Sequence, residues 1–271
     1  MTEVSIVLPF RNPGSLLADT LRTVEQQTLQ SWFLWLMDDG STDSSVEAAL
    51  DFCRNHPTRA KYCRLNGVGA AAARNFAIRQ ITSQYVAFLD ADDLWMPHKL
   101  ETQLSIMRAR GSVFCYSAFK KLDGQSNVGK TVFNVPDSVT YDRLLRGNPI
   151  RCFTVVYDHH RLGPVIMPNI KMRNDLLAWL HVLQRLGSIS EPDHSLLPGA
   201  LAPVGRGQLV LGINEVLGFY RQHPASLTGN KLRAAKYQWI AYRRHLQLPI
   251  TSTIFNFAIY ALNGLRSYSQ R

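Results

Sequence analysis

From Val86 to Leu89 the chain is wholly apolar, and it then places Asp90, Asp92 and Asp93 within four residues. The run reads as a buried strand, and the carboxylates end it abruptly. Like charges this close repel and raise one another's pKa, so a fold tolerates them best where a cation neutralises them. Oxygen ligands with no Cys or His beside them suit a hard divalent ion, Mg²⁺ or Mn²⁺, which keeps several waters and binds substrate phosphates as well. The plainer alternative is an acidic turn that caps the helix opened by Pro97.

The same grammar recurs upstream. Residues 4 to 9 (Val-Ser-Ile-Val-Leu-Pro) form a short β-rich run, and Leu16, Leu17, Leu21 and Val24 have helical spacing. A second apolar run, Trp32 to Met37, ends at Asp38-Asp39-Gly40-Ser41-Thr42-Asp43, with a helix to about Cys53. A weaker strand at 61 to 65 leads into Gly67-Val68-Gly69 and an Ala-rich helix to about Ile81. Strands alternating with helices indicate parallel βαβ units, whose ligands gather at the carboxyl ends of the strands. Asp39 and Asp90 lie at two such ends. The second half reads as a strand at 112 to 118, a hairpin turn at Asp123-Gly124, and a short helix at 139 to 146. From Asn174 an amphipathic helix runs through Leu176, Leu177, Leu180, Leu183 and Leu186 to Gly187.

One rival needs weighing. Gly67-Val68-Gly69-Ala70-Ala71-Ala72 fits the G-x-G-x-x-A dinucleotide pattern, with Asp90 at about the right distance for a ribose contact. An NAD(P)-dependent oxidoreductase is therefore an alternative. Against it, the preceding strand is half polar, two βα units come before the motif, and a ribose contact does not need three carboxylates.

Composition narrows the class. With 271 residues, 46% of them hydrophobic, the chain can bury a large core as one or two domains. Cys53, Cys63, Cys115 and Cys152 show no C-x-x-C pairing and read as reduced thiols, which fits a cytosolic setting. The sequence shows neither a signal peptide nor an 18-residue apolar run, so the expectation is a protein that is not exported that way and does not span a membrane. Of the net charge of +10, seven units come from residues 231 to 271, which hold no Asp or Glu. A non-enzymatic basic module that binds membrane or nucleic acid would explain that tail but not carboxylates at two strand ends.

The motifs together resemble the inverting glycosyltransferases of family 2, which have the GT-A fold. They are Ser5-Ile6-Val7-Leu8-Pro9-Phe10-Arg11-Asn12, Asp38 to Asp43, Gly69-Ala70-Ala71-Ala72-Ala73-Arg74-Asn75, Phe88 to Asp93, and Tyr220-Arg221-Gln222-His223-Pro224-Ala225-Ser226. The resemblance covers roughly residues 3 to 230, densely in the first hundred. It implies an α/β fold with a Rossmann-like, mostly parallel nucleotide-sugar-binding half (1–115), an acceptor-binding and catalytic-base half (116–230) and a helical, basic, aromatic extension (231–271).

By the same resemblance, Pro9, Arg11, Asp39, Arg74, Asp90 and Asp92 bind a nucleotide sugar. Asp39 takes a base N–H of a UDP-sugar and Arg74 the diphosphate. Asp92, with Asp90, holds Mn²⁺ or Mg²⁺, with His223 as a further candidate ligand and Asp93 in support. Asp39 could equally cap the Asp-Gly-Ser-Thr turn. Relatives carry Glu-Asp where this chain has Asn174-Asp175, so Asp175 is implied as the catalytic base while the preceding acid is absent. Plain N-terminal capping by this pair is the alternative. Trp95, Trp179 and Tyr220 are candidates for stacking on sugars, with aromatic core the favoured reading for Trp179. The implied reaction moves a hexose to a saccharide hydroxyl, with an undecaprenyl-diphosphate-linked acceptor suggested by a second resemblance of the tail to bacterial O-antigen and capsule glycosyltransferases. The expected place is the cytoplasmic face of the membrane, with no nucleic-acid partner. The alternative for the tail is a C-terminal helix packed on the body.

Overall fold

A computed structural model describes residues 2–123, 127–187, 209–221 and 231–269. In chain order the first half contains β1 (Val4–Phe10), α1 (Leu16–Glu25), β2 (Trp32–Asp38), α2 (Ser45–Asn55), β3 (Ala60–Arg64), α3 (Ala70–Ile78), β4 (Tyr85–Phe88), β5 (Leu94–Trp95) and α4 (Lys99–Arg110). The second half adds β6 (Phe114–Leu122), β7 (Val128–Phe133), α5 (Tyr141–Arg146), β8 (Val156–Asp158), α6 (His159–Leu162), α7 (Asn174–Gly187) and β9 (Val210–Arg221). Two further helices, α8 (Lys231–Ile240) and α9 (Ile250–Ser269), follow, joined through a π-helical turn, Ala241–His245.

These strands form one sheet in the order β3-β2-β1-β4-β8-β6-β9-β5, with β7 paired to β6. The first four are mutually parallel, as the βα alternation predicts, while β8 joins β4 antiparallel. Strand residues alternate between two cores because successive side chains point to opposite faces. Ile6, Leu8, Leu34 and Leu36 pack with Leu17 and Leu21 of α1, Phe52 of α2 and Leu104 of α4. Val7, Met37, Val86 and Phe88 pack on the other face with Ala73 of α3, Leu144 of α5 and Trp179 of α7. The result is three layers, helices on both faces of a buried sheet.

Observed boundaries track the sequence reading to within a few residues. The Ala-rich helix stops at Ile78 instead of Ile81, and the helix after Pro97 starts at Lys99. Asp123 does begin the β6–β7 connection, its N–H donating to the carbonyl of Asn127 at 3.1 Å, while Gly124 lies outside the described residues. Two candidate sugar-stacking aromatics are core instead. Trp179 is fully buried against Phe88 and Phe114, with ring centroids at 5.6 and 5.1 Å. Trp95 is buried, and its indole N–H donates to the carbonyl of Phe153 at 2.8 Å.

Lys99 is an unusual core residue. It is fully buried, donates to the Gln103 side chain, and lies 4.2 Å above the Trp95 ring. Burial pushes its pKa down to about 7. An unfolded lysine titrates near 10.4, so between pH 7 and that value the unfolded chain binds the extra proton. Stability from this site therefore rises with pH through that window. Lys99→Met should remove the rise. Denaturant unfolding of both proteins between pH 7 and 8.5 should show the wild type gaining on the variant by roughly 1.5 kcal/mol.

Candidate active site

A cleft of about 1270 Å³ opens at the carboxyl ends of β1 and β4 and reaches across to the start of α7 and to α9. Pro9, Arg11, Arg74, Asp90, Asp92 and Asp175, scattered over 167 positions in the chain, all line it. That convergence follows from topology, because β1 and β4 are parallel neighbours ending at one edge.

The loops at this edge are tied to one another. Asn12, in a left-handed conformation at φ 51°, donates its N–H to Ser41 Oγ at 3.0 Å and accepts from Thr42 N–H at 2.7 Å. Gly14 N–H donates to Asp43 at 2.7 Å. Burial alone would raise the Asp43 pKa, but hydrogen bonds from Ser45 and Gly14 outweigh it and hold the carboxyl below its ordinary value. Asp38 is fully buried and accepts from Ser41 N–H at 2.7 Å and Tyr62 Oη at 2.6 Å.

Asp39 stands apart from the other candidates. It is buried, it is not among the cleft-lining residues, and its two oxygens accept from the N–H groups of Val68 at 2.6 Å and Gly69 at 2.9 Å. The glycine loop before α3 is thereby fastened to the β2 end, with Gly67 and Gly69 at φ 70° and 88°, values that glycine adopts without strain. The same bonds weigh against the dinucleotide reading, since the amides a pyrophosphate would need are already engaged.

Arg74 projects from α3 and forms an ion pair with Asp90. The guanidinium is buried, and burial works against its charge. Cys152, Asp90 and Asp175 around it more than restore that charge and raise its pKa. Asn75, the next residue, fixes the facing loop with reciprocal bonds to Met167 N–H and carbonyl, both at 2.8 Å.

Asp90 to Asp93 form a tight turn whose backbone is held from two sides. The Thr20 hydroxyl of α1 lies 3.0 Å from the carbonyls of Ala91 and Asp93. Arg221, at the end of β9, donates its backbone N–H to Asp93 Oδ1 at 3.0 Å and its Nε–H to the Asp92 carbonyl at 3.1 Å. Burial, then the neighbouring Asp92 and Asp90, push the Asp93 pKa well above the usual carboxylate range. Its Oδ2 is buried without a hydrogen-bond partner among the described residues. Asp93 is thus held inside the turn by the Arg221 amide.

Across the cleft, Asp175 occupies the second position of α7. Its charge is felt by both Arg74 and Cys152, which places it over the same floor. Tyr220 lines the cleft near Phe153, ring centroids 6.5 Å apart. His223, the rest of the motif from Gln222 to Ser226, and the acids Glu191 and Asp193 lie outside the described residues.

Among the described residues no group of three or more His, Cys, Asp or Glu is placed to enclose a metal ion. Asp90 and Asp92 offer two carboxylates on an open cleft. That is the donor set Mg²⁺ or Mn²⁺ uses when substrate phosphates complete the shell, so the residues present fit such an ion. Sequence reading missed the further cations of the cleft, Arg143, Arg146, Arg151, Lys171 and Arg173, together with Tyr260 and Asn263 of α9. These positions belong to segments without a shared motif, and only the fold brings them to one surface.

Comparison with known proteins agrees with this geometry. A family model described as Glycosyl transferase family 2 matches residues 5–156. TuaG of Bacillus subtilis, provisionally named a teichuronic acid biosynthesis glycosyltransferase, is 31% identical over 264 residues, covering 97% of this chain and 96% of TuaG. WfgD of Escherichia coli, a UDP-Glc:alpha-D-GlcNAc-diphosphoundecaprenol beta-1,3-glucosyltransferase, is 28% identical over 268 residues, covering 98% and 95%. The crystal structure of S. aureus TarS 1-349 in complex with UDP-GlcNAc superimposes with a TM-score of 0.64 at 14% identity, covering 96% of this chain and 71% of that one. This likeness bears out the GT-A architecture. With more than half its length matched by the family model and a relative above 30% identity along nearly all of it, the chain belongs to glycosyl transferase family 2.

Proposed function

We infer that this glycosyltransferase moves a hexose from a UDP-sugar to a hydroxyl of a lipid-diphosphate-linked saccharide, inverting the anomeric centre, in the synthesis of a bacterial surface polysaccharide. The observation that carries the reading is one cleft with an Arg74–Asp90–Asp92 edge on one side and the Asp175 carboxylate on the other. Such a site can hold a diphosphate leaving group and deprotonate a nucleophile from opposite directions, with no covalent intermediate. The names of WfgD and TarS support a UDP-linked donor, and that of WfgD an acceptor carried on a lipid diphosphate.

Each residue has a part in this reading. Residues 1–115 hold the donor, with Pro9 and Arg11 beside the nucleotide and Asp39 offering its remaining lone pairs to a base N–H. Arg74 meets the charge that grows on the departing diphosphate with a fixed fork of donors. Asp92, with Asp90, would hold Mn²⁺ or Mg²⁺, which when bound supplies neutralisation of that same charge. Residues 116–230 receive the acceptor, and Asp175 takes the proton of its attacking hydroxyl.

Residues 231–271 serve as a peripheral contact with the inner face of the membrane in this reading. No helix among the described residues is long and apolar enough to cross one. The extension packs on the body through Tyr242, fully buried, and Thr253, yet Ile250 and Ile254 on α9 remain 50% and 56% exposed. An apolar stripe flanked by Lys and Arg suits an anionic surface, where each basic residue contributes about 1 kcal/mol.

Asp92→Asn keeps the side-chain shape while removing a ligand charge, so turnover should drop at least about a hundredfold with little change in melting temperature. EDTA should silence the wild type, and added Mn²⁺ or Mg²⁺ should restore it; full activity in chelator would refute the metal. Asp175→Asn should leave UDP-sugar binding near normal and lower turnover by about 10²–10⁴. NMR of the product from an α-linked donor should show a β linkage, and an α product would exclude inversion. Ile250→Ser with Ile254→Ser should weaken co-sedimentation with anionic vesicles roughly tenfold; unchanged binding would remove α9 from the membrane contact.

A further inference from the structure

The cleft carries more positive charge than the donor site uses. Asp90, Asp92, Arg74, a divalent ion and one diphosphate come within about one charge of neutral. Arg143, Arg146, Arg151, Lys171 and Arg173 remain; Arg151 lies by Tyr220 and close to Asp93, and the other four line the side where the acids are Asp142 and Asp175. Among the described residues none of the five cations forms an ion pair. Uncompensated cations on one concave surface repel one another, and the arrangement is tolerated best where an anion enters.

Two of the five are aimed by α9. Arg146 donates through Nε to Asn256 at 3.3 Å, and Arg173 donates through Nη2 to Tyr260 at 2.6 Å. Asn256 and Tyr260 are one helical turn apart on the same face, about 5–6 Å between Cβ atoms. Both guanidiniums are therefore anchored on that one face of α9. Arg173 also sits at φ 73°, a left-handed conformation that costs a non-glycine residue energy and recurs at ligand clamps. Its Nε is buried with no hydrogen-bond partner among the described residues. Beyond this pair, α9 exposes Ile250, Ile254 and Phe255, a path along which an alkyl chain can leave the cleft.

We propose that the wall built by Arg143, Arg146, Lys171 and Arg173 against α9 is a second diphosphate site, which grips the diphosphate of the lipid-linked acceptor and sets its sugar before Asp175. The proposal rests on the acceptor assignment made above. It makes the diphosphate a recognition element and not merely a link to the membrane.

The test is calorimetric binding of decyl diphosphate to the full chain with UDP saturating the donor site, for the wild type, Arg173→Gln, and Arg143→Gln with Lys171→Gln. Arg143 and Lys171 are on the surface, so the second variant keeps the test valid if loss of the Arg173–Tyr260 bond loosens α9. Each variant should bind at least about tenfold more weakly, the size expected for losing a charge-assisted hydrogen bond. Lys130→Gln, on β7 away from the cleft, should bind as the wild type does. The wild type's preference for α-N-acetylglucosaminyl decyl diphosphate over decyl α-N-acetylglucosaminide as acceptor should collapse in both variants. Binding abolished by UDP, or equal binding by the variants, would overturn the site. Intact, variant-sensitive binding without transfer to either acceptor would leave the anion site standing and remove the acceptor assignment instead.

Discussion

The structure turns on how three aspartates survive within four residues. They are resolved by being given different environments. Asp90 pairs with Arg74, Asp93 is buried and driven toward its neutral form beneath the Arg221 amide, and Asp92 lines the cleft. Each solution recruits a different part of the chain. Arg74 comes from α3, Arg221 from the end of β9, and the Thr20 hydroxyl that braces the turn from α1. The turn thus ties β4 to elements more than a hundred residues apart, and a site built on it has little freedom to drift.

The first half of the chain was legible because β1, β2 and β4 are buried on both faces and two of them, β2 and β4, lead into acids. Alternation of two cores along β1 and β2 is written directly in Val4 to Phe10 and Trp32 to Met37. Arg74, Asp90, Asp92 and Asp175 could be named from motifs, and they do meet in one cleft. Asp39 was legible as a turn residue, but which hydrogen bonds it would make was not. Its partners, the amides of Val68 and Gly69, depend on how closely the β3–α3 loop folds over the end of β2.

The basic wall was invisible for a physical reason. Arg143 and Arg146 lie on a six-residue helix, Arg151 follows a loop, and Lys171 and Arg173 precede α7. Nothing in local periodicity relates them. They become one surface only because α5, the stretch before α7, and α9 stack together, an arrangement set by buried apolar residues such as Leu144, Leu177 and Tyr242. Among the candidate sugar platforms, Trp179 is core as its sequence favoured, and Trp95 is core too, because indoles of that size in a three-layer core are more valuable as filling.

The basic extension is neither a detached tail nor simply a packed helix. One face of α9 meets α5 through Asn256 and Asn263 and steers the arginines of the cleft. Its other side keeps Ile250 and Ile254 in solvent. A helix so placed fixes the geometry between an exposed apolar stretch and the basic side of the cleft. On the acceptor reading proposed above, the sugar to be extended reaches Asp175 from an anchor in the membrane, and the distance from α9 to the start of α7 becomes a ruler for it. That distance is held by the bond between Arg173, directly before α7, and Tyr260 on α9.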